Sequence, residues 1–120
     1  MIATEFDTQL EKALEWAGKK GFKEIKSVHE DHEKPFSYTN KEKDTVFTPH
    51  ITASKDGRKT FIEIATKGED TVEIISKWRL LSTMAEIKGG KLYLLAPRGH
   101  KSFTDGIVDK YPITATVLSI

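Results

Sequence analysis

The chain contains no cysteine, so disulfides, thiolate zinc sites, iron–sulfur clusters and cysteine nucleophiles are all excluded. Proline and glycine are not in excess, with four and eight among 120 residues, which excludes a low-complexity chain. No apolar run approaches the length of a membrane span, and the first residues carry acids at Glu5 and Asp7 instead of the apolar core of a secretory signal. We therefore predict a cytoplasmic protein with no membrane partner.

The length and composition are those of one folded domain. Domains commonly have roughly 100 to 150 residues, and 38% hydrophobic with 31% charged residues is typical of a globular chain, so we predict a single domain over residues 1–120. The net charge is only +1, which weighs against a nucleic-acid binder that uses its whole surface. However, residues 1–49 carry eight basic and ten acidic side chains, whereas residues 50–120 carry eleven and eight. A basic face would therefore come mainly from the second part of the chain.

Hydrophobic periodicity predicts alternating helices and strands. Apolar residues recur every three or four positions near the start, which predicts an amphipathic helix, and the Asp56-Gly57 pair predicts a hairpin turn. The run Leu92–Ala96 is apolar without alternation, as expected of a parallel strand covered on both faces. The predicted elements are a helix from Thr4 to about Lys20, a weakly patterned strand within Phe22–Glu30, strands Val46–Ala53 and Lys59–Thr66, a helix between Asp70 and Gly89, a strand Leu92–Ala96, a helix Ser102–Tyr111 and a strand Ile113–Ile120.

The order α-β-β-β-α-β-α-β predicts an α/β fold with a mixed central sheet flanked by helices. Pro49-His50 lies on one strand of the hairpin and Glu63-Ile64-Ala65 on the other, and a helix and a parallel strand follow. In this arrangement the chain resembles the PD-(D/E)xK nuclease superfamily, which includes many restriction enzymes and Holliday-junction resolvases, over about Thr4 to Pro97. The resemblance implies a restriction-endonuclease-like fold. It also implies a site in which two carboxylates hold magnesium and a lysine positions the attacking water.

The catalytic motif of that family is incomplete in this sequence. His50 stands at the position of the first carboxylate and Ala65 at the position of the lysine, so only Glu63 matches. A single carboxylate with a neutral imidazole is a poor magnesium site, because magnesium prefers oxygen ligands and imidazole suits zinc, iron, nickel or copper. We therefore predict a catalytically degenerate domain that has no cofactor. The domain would bind nucleic acid or serve as a subunit of a nucleic-acid-processing system.

Two alternatives remain open. Lys67 has the strand parity of Glu63, and Lys77 lies on the following helix, so either could replace the missing lysine in an active nuclease. Such a nuclease would bind magnesium through Glu63 and a second carboxylate that the sequence does not identify. The fold could instead serve as a protein-interaction module, and an exposed sheet edge would allow a homodimer. The candidate relic site therefore comprises Glu63, His50, Lys67 and Lys77.

The basic loop Pro97–Lys101 follows the carboxyl end of a parallel strand, where open α/β sheets commonly bind ligands, and a helix N-terminus follows it. We expect the run His29–Glu33 to be solvated loop and not a metal site. The four aromatic residues Trp16, Trp78, Tyr93 and Phe103 are expected to pack in the core. The residues predicted to face nucleic-acid phosphates are Lys55, Arg58, Lys59, Lys77, Arg98, His100 and Lys101.

Overall fold

A computed structural model describes residues 5–29, 32–40, 44–67 and 71–120. Within these ranges the elements are α1 (Glu5–Lys19), β1 (Lys23–Ser27), β2 (Tyr38–Asn40), β3 (Thr45–Phe47), β4 (Ile51–Lys55), β5 (Arg58–Ile64), α2 (Thr71–Ile87), β6 (Lys91–Ala96), α3 (Lys101–Lys110) and β7 (Thr116–Ser119). The predicted helix starts at Thr4 and Asp70 and the predicted strand end at Glu30 lie outside the described residues. None of these three helices is long and apolar enough to cross a membrane.

The central sheet has five strands in the order β1-β4-β5-β6-β7. Strands β1, β4 and β5 pair in antiparallel fashion, whereas β5, β6 and β7 run parallel. This confirms the predicted α/β fold with a mixed central sheet and helices. Because β5 and β6 are parallel, helix α2 must carry the chain back from one end of the sheet to the other. The carboxyl ends of β5 and β6 therefore meet at one edge of the sheet, and the β4–β5 turn lies at the opposite edge.

Helices cover both faces of this sheet because successive residues of a strand point to opposite sides. On one face, Leu10 of α1 packs against Ile62 of β5 in a buried cluster. On the other face, Trp78 and Leu81 of α2 pack against Phe61 of β5, and α3 joins the same cluster. Each such fully buried side chain contributes about 1.5–3 kcal/mol relative to exposure. Glu63 has the parity of Phe61, so it faces α2.

The predicted hairpin between β4 and β5 is confirmed. Asp56 and Gly57 both have positive φ, at 54° and 76°, which is the geometry of a type I′ turn. The turn sets a register in which Lys55 opposes Arg58 and Ile51 opposes Ile62. It therefore fixes which residues oppose each other, and the pairing stops one residue before His50 and Glu63.

The prediction of one continuous strand over Val46–Ala53 is wrong. Residues 48–50 separate β3 from β4, and β3 pairs instead with β2 in a second, two-stranded sheet. Pro49 has no backbone N–H to donate to a ladder, so it interrupts the strand. The last strand is also shorter than predicted, because only Thr116–Ser119 pairs with β6.

Candidate functional site

Glu63 is a buried carboxylate with two partners. Its side chain is 1% exposed, and a buried charge is costly unless it is paired and hydrogen-bonded. Lys77 Nζ lies 2.8 Å from Oε1, and the backbone N–H of His50 donates to Oε2 at 2.6 Å. Lys77 is itself only 18% exposed, so the pair is largely shielded from water. The structure thus brings together three of the four predicted site residues.

The position of Glu63 follows from the end of the β4–β5 ladder. Beyond the pair Ile51 and Ile62, the two strands are joined by hydrogen bonds from backbone N–H groups to side chains. The His50 N–H donates to the Glu63 carboxylate, and the Ile64 N–H donates to Nδ1 of His50 at 3.0 Å. These two hydrogen bonds give acceptors to backbone N–H groups that have no strand partner where the ladder ends near Pro49. Buried backbone N–H groups need such partners. The same hydrogen bonds also fix the His50 ring against Phe6, with the ring centroids 4.9 Å apart.

The protonation of His50 is set by its neighbours. Nδ1 lies 3.4 Å from Oε2 of Glu63, but it cannot donate a proton there while it accepts the Ile64 N–H. The backbone donor has a fixed proton, so we assign Nδ1 as the acceptor and place the ring proton on Nε2. Burial lowers the pKa of His50 below its usual 6.5; Glu63 opposes this shift and Lys77 adds to it. The imidazole is therefore neutral at pH 7.

The lowered pKa of His50 predicts that stability falls as the pH drops. Above its unfolded pKa of about 6.5, His50 is neutral in both states and its contribution is fully present. As the pH falls below that value, the unfolded state binds a proton that the folded state refuses, so the free energy of unfolding decreases. Asparagine can still accept the Ile64 N–H but does not titrate. Urea unfolding between about pH 7 and pH 5 should therefore show a flatter pH dependence for His50→Asn than for the wild type; parallel curves would contradict the assignment.

An open cleft of about 310 Å³ adjoins this cluster at the carboxyl edge of β5. Phe6 of α1 and Glu73 and Lys77 of α2 line it together with His50 and Glu63. Glu73 was not predicted; its place one helical turn before Lys77 is the signal that would have found it. Lys67 lies beyond the end of β5 and is exposed, and its backbone N–H donates to Nδ1 of His100 at 2.9 Å. Lys77, and not Lys67, therefore contacts Glu63.

The residues present do not fit the magnesium site that the nuclease resemblance implies. His50 carries its proton on Nε2 and accepts at Nδ1, so its neutral ring has no lone pair to offer a metal. Both oxygens of Glu63 are already engaged. In the described parts of the chain, no group of three or more His, Asp or Glu side chains is placed to hold a metal ion. His29 and His32 therefore belong to no such group among the described residues, and Glu30 and Asp31 lie outside those residues.

The predicted phosphate-facing residues fall into groups at opposite edges of the sheet. Arg98, His100 and Lys101 follow β6 at the edge where Glu63 lies, and Lys101 is paired with Asp105 at 2.7 Å. The other group lies at the β4–β5 turn, separated from the first by the length of β5, which is about 20 Å at 3.3 Å per residue. Two lysines that sequence reasoning missed join it, because α2 ends and β6 begins at that edge. We call this group the turn-edge cluster; it consists of Lys55, Arg58, Lys59, Lys88 and Lys91.

Comparison with known proteins gives no match: neither a protein-family model, nor a curated protein, nor a solved structure is significantly similar to the chain. Function must therefore be inferred from the chemistry and geometry of the two edges of the sheet.

Proposed function

We propose that this chain is a nucleic-acid-binding domain of restriction-endonuclease-like architecture whose Glu63 site does not hydrolyse phosphodiester bonds. The architecture is supported by a hairpin that leads through a crossover helix into a parallel strand, with Glu63 on the second hairpin strand. The observation that carries the proposal is the full engagement of the Glu63 carboxylate by Lys77 and the His50 N–H.

This engagement matters because hydrolysis of the family's kind needs carboxylate oxygens that are available to a metal. A cation entering the site would have to displace Lys77 from Oε1 or the backbone N–H from Oε2. Position 65 supplies no second cation, since it is an alanine. Ala65 is fully buried on the α2 face of the sheet. Lys77 instead places its ammonium 2.8 Å from Oε1 of Glu63 and neutralises the carboxylate there.

A nucleic-acid partner is supported by the turn-edge cluster. Two of its members, Lys59 and Lys88, lie close enough to affect each other: burial lowers the pKa of Lys59, and the nearby charges of Lys26 and Lys88 lower it further, against a smaller opposing effect of Glu24. Like charges held together in this way are unfavourable until an anion binds. Phosphates of a nucleic acid are such anions, and their binding releases counterions and gains affinity at low salt.

Two measurements test the proposed function. Incubation with plasmid and with single-stranded DNA in magnesium or manganese should give no cleavage, whereas fluorescence anisotropy should detect DNA binding that weakens from about 50 mM to 200 mM salt. Absence of binding even at low salt would contradict the proposal and leave the protein-interaction module. A homodimer would be visible in the same preparations by sedimentation and would not by itself decide the function.

A second candidate function is an active metal-dependent nuclease. The observation that favours it is the 2.8 Å contact between Lys77 and Glu63, which puts a lysine amine beside the expected carboxylate. Cleavage that disappears in Glu63→Gln would establish this candidate and overturn the first. Cleavage that survives in Glu63→Gln would come from a contaminant. The matched control is Lys67→Gln, on an exposed lysine nearby, and it should leave any cleavage by the Glu63 site unchanged.

A further inference from the structure

We propose that a second cleft, at the turn edge of the sheet, binds one nucleotide of a single-stranded nucleic acid, with its base against Tyr93 and its phosphates on Lys55, Arg58 and Lys91. The inference rests on the proposed function in that the ligand is a nucleic acid. It adds the place and the strandedness, and it puts the binding site at the edge of the sheet opposite Glu63.

The cleft lies where four segments of the chain meet. The start of β1, the β4–β5 turn, the end of α2 and the start of β6 surround a space of about 290 Å³. Such a volume is at the lower limit of the roughly 300–1,000 Å³ usual for ligand pockets, so it suits one nucleotide and not a duplex. Gly90 forms part of the wall, and its backbone approaches the Lys59 carbonyl oxygen so closely that a Cβ atom would overlap that atom.

Positive charge surrounds this space. Lys55, Arg58 and Lys91 line it and are exposed, whereas Asp56 is the one acid among its lining residues in the described chain. Lys59 and Lys88 lie outside the cleft, and Lys59 lines a separate pocket with Glu24 and Lys26. The acids Glu24 and Glu86 lie in the same region and reduce the excess without cancelling it. Two adjacent phosphates can thus be contacted from both sides of the cleft, by the hairpin turn and by β6.

An aromatic surface lies within reach of those charges. Tyr93 is half-buried, and its ring packs edge-on against Trp16 at 5.2 Å and Phe22 at 5.9 Å between centroids. Lys55 Nζ lies 5.3 Å from the centroid of Phe22, so a cation already sits beside this aromatic group. The neighbouring rings hold Tyr93 in place, and a held ring gives a base a platform for stacking without further ordering. Tyr93 thus packs against the buried cluster under α1 and also lines the cleft.

Single strands are favoured because only they offer an unstacked base. Stacking of one base on an aromatic side chain contributes about 1–3 kcal/mol, and every base has a face that can stack. A duplex keeps its bases paired inside and would present only phosphates to the cleft. The combination of an aromatic ring with flanking cations therefore indicates binding of single-stranded nucleic acid with little dependence on sequence.

The test compares matched variants by fluorescence anisotropy with a labelled single strand of about 15 nucleotides, the corresponding duplex and an abasic strand of the same length. Lys55→Gln/Arg58→Gln/Lys91→Gln should weaken single-strand binding at least about tenfold and reduce the slope of log Kd against log salt by about 2, since each phosphate contact contributes about 0.7. The control is Arg79→Gln/Lys110→Gln, on two exposed cations of α2 and α3 that do not line the cleft, which should change the affinity less than about twofold.

The aromatic part of the inference has its own controls. Tyr93→Leu should weaken single-strand binding about tenfold and leave duplex binding within about twofold, while Tyr93→Phe keeps the ring and should bind like the wild type. Equal affinity for the abasic and the ordinary strand would overturn the inference, and so would a turn-edge triple variant that binds as well as its control. If the wild type binds no nucleic acid at all, the proposed function fails instead, so the two failures are distinguishable.

Discussion

Lys77→Met is expected to lower the free energy of unfolding by about 3–5 kcal/mol, because it leaves the Glu63 carboxylate buried without its counter-charge. Methionine keeps the length and apolar character of the lysine side chain, so packing on α2 is disturbed little. The remaining hydrogen bond from the His50 N–H cannot replace a full charge next to the second oxygen. Urea denaturation monitored by circular dichroism measures the effect.

The double variant Glu63→Gln/Lys77→Met separates the pair from its surroundings. Glutamine can still accept the His50 N–H through its amide oxygen and leaves no charge in the interior, so most of the lost stability should return. Lys67→Met is the matched control on an exposed lysine, and it should change stability by less than about 0.5 kcal/mol. A loss below about 1 kcal/mol in Lys77→Met, or no recovery in the double variant, would show that the contact is not a buried ion pair.

Periodicity and turn chemistry were sufficient to predict most of the central sheet. The spacing of apolar residues in α1 and α2 and the Asp56-Gly57 turn depend on local sequence, and each was found where predicted. The β2–β3 sheet was missed because its strands have three residues each, too few for an alternating pattern to stand out. The interruption at Pro49 was missed because proline is also compatible with an edge strand.

The candidate site was predicted only in part. Glu63 could be recognised because an acid between isoleucines in a strand must be paired or functional. The choice between Lys67 and Lys77 could not be made, since it depends on how far α2 lies above β5. The tautomer of His50 depends on the Ile64 N–H, which becomes available only because the ladder ends at Ile62. Such details follow from register and not from composition.

The turn-edge cluster also could not be predicted completely from the sequence. Lys55 and Arg58 belong to a visible turn, whereas Lys88 follows the end of α2 and Lys91 begins β6, at least 30 residues later in the chain. Only the parallel pairing of β5 with β6, with Thr60 opposite Lys91, places these lysines beside the turn. Division of the net charge by position along the chain therefore could not show that the basic residues of the second part lie at two separate edges of the sheet.

Gly90→Ala is expected to have the other large effect on stability, because Gly90 is where the end of α2 closes on β5. The Gly90 N–H donates to the Ala85 carbonyl and ends the helix, while a Cβ atom on Gly90 would overlap the carbonyl oxygen of Lys59. That oxygen belongs to a paired strand and cannot move aside as a flexible side chain would. We expect a loss of about 3 kcal/mol in the free energy of unfolding, at the upper end of what overpacking costs.

The neighbouring glycine is the matched control. Gly89 has a φ of +69° but open space around the position of a Cβ atom, so its requirement is conformational and not steric. Asparagine tolerates that backbone region better than other non-glycine residues, so Gly89→Asn should cost about 1 kcal/mol. Urea denaturation of both variants measures the difference. Equal losses in the two would mean that β5 and the end of α2 are not in contact at Gly90, and the wall of the turn-edge cleft would then be misplaced as well.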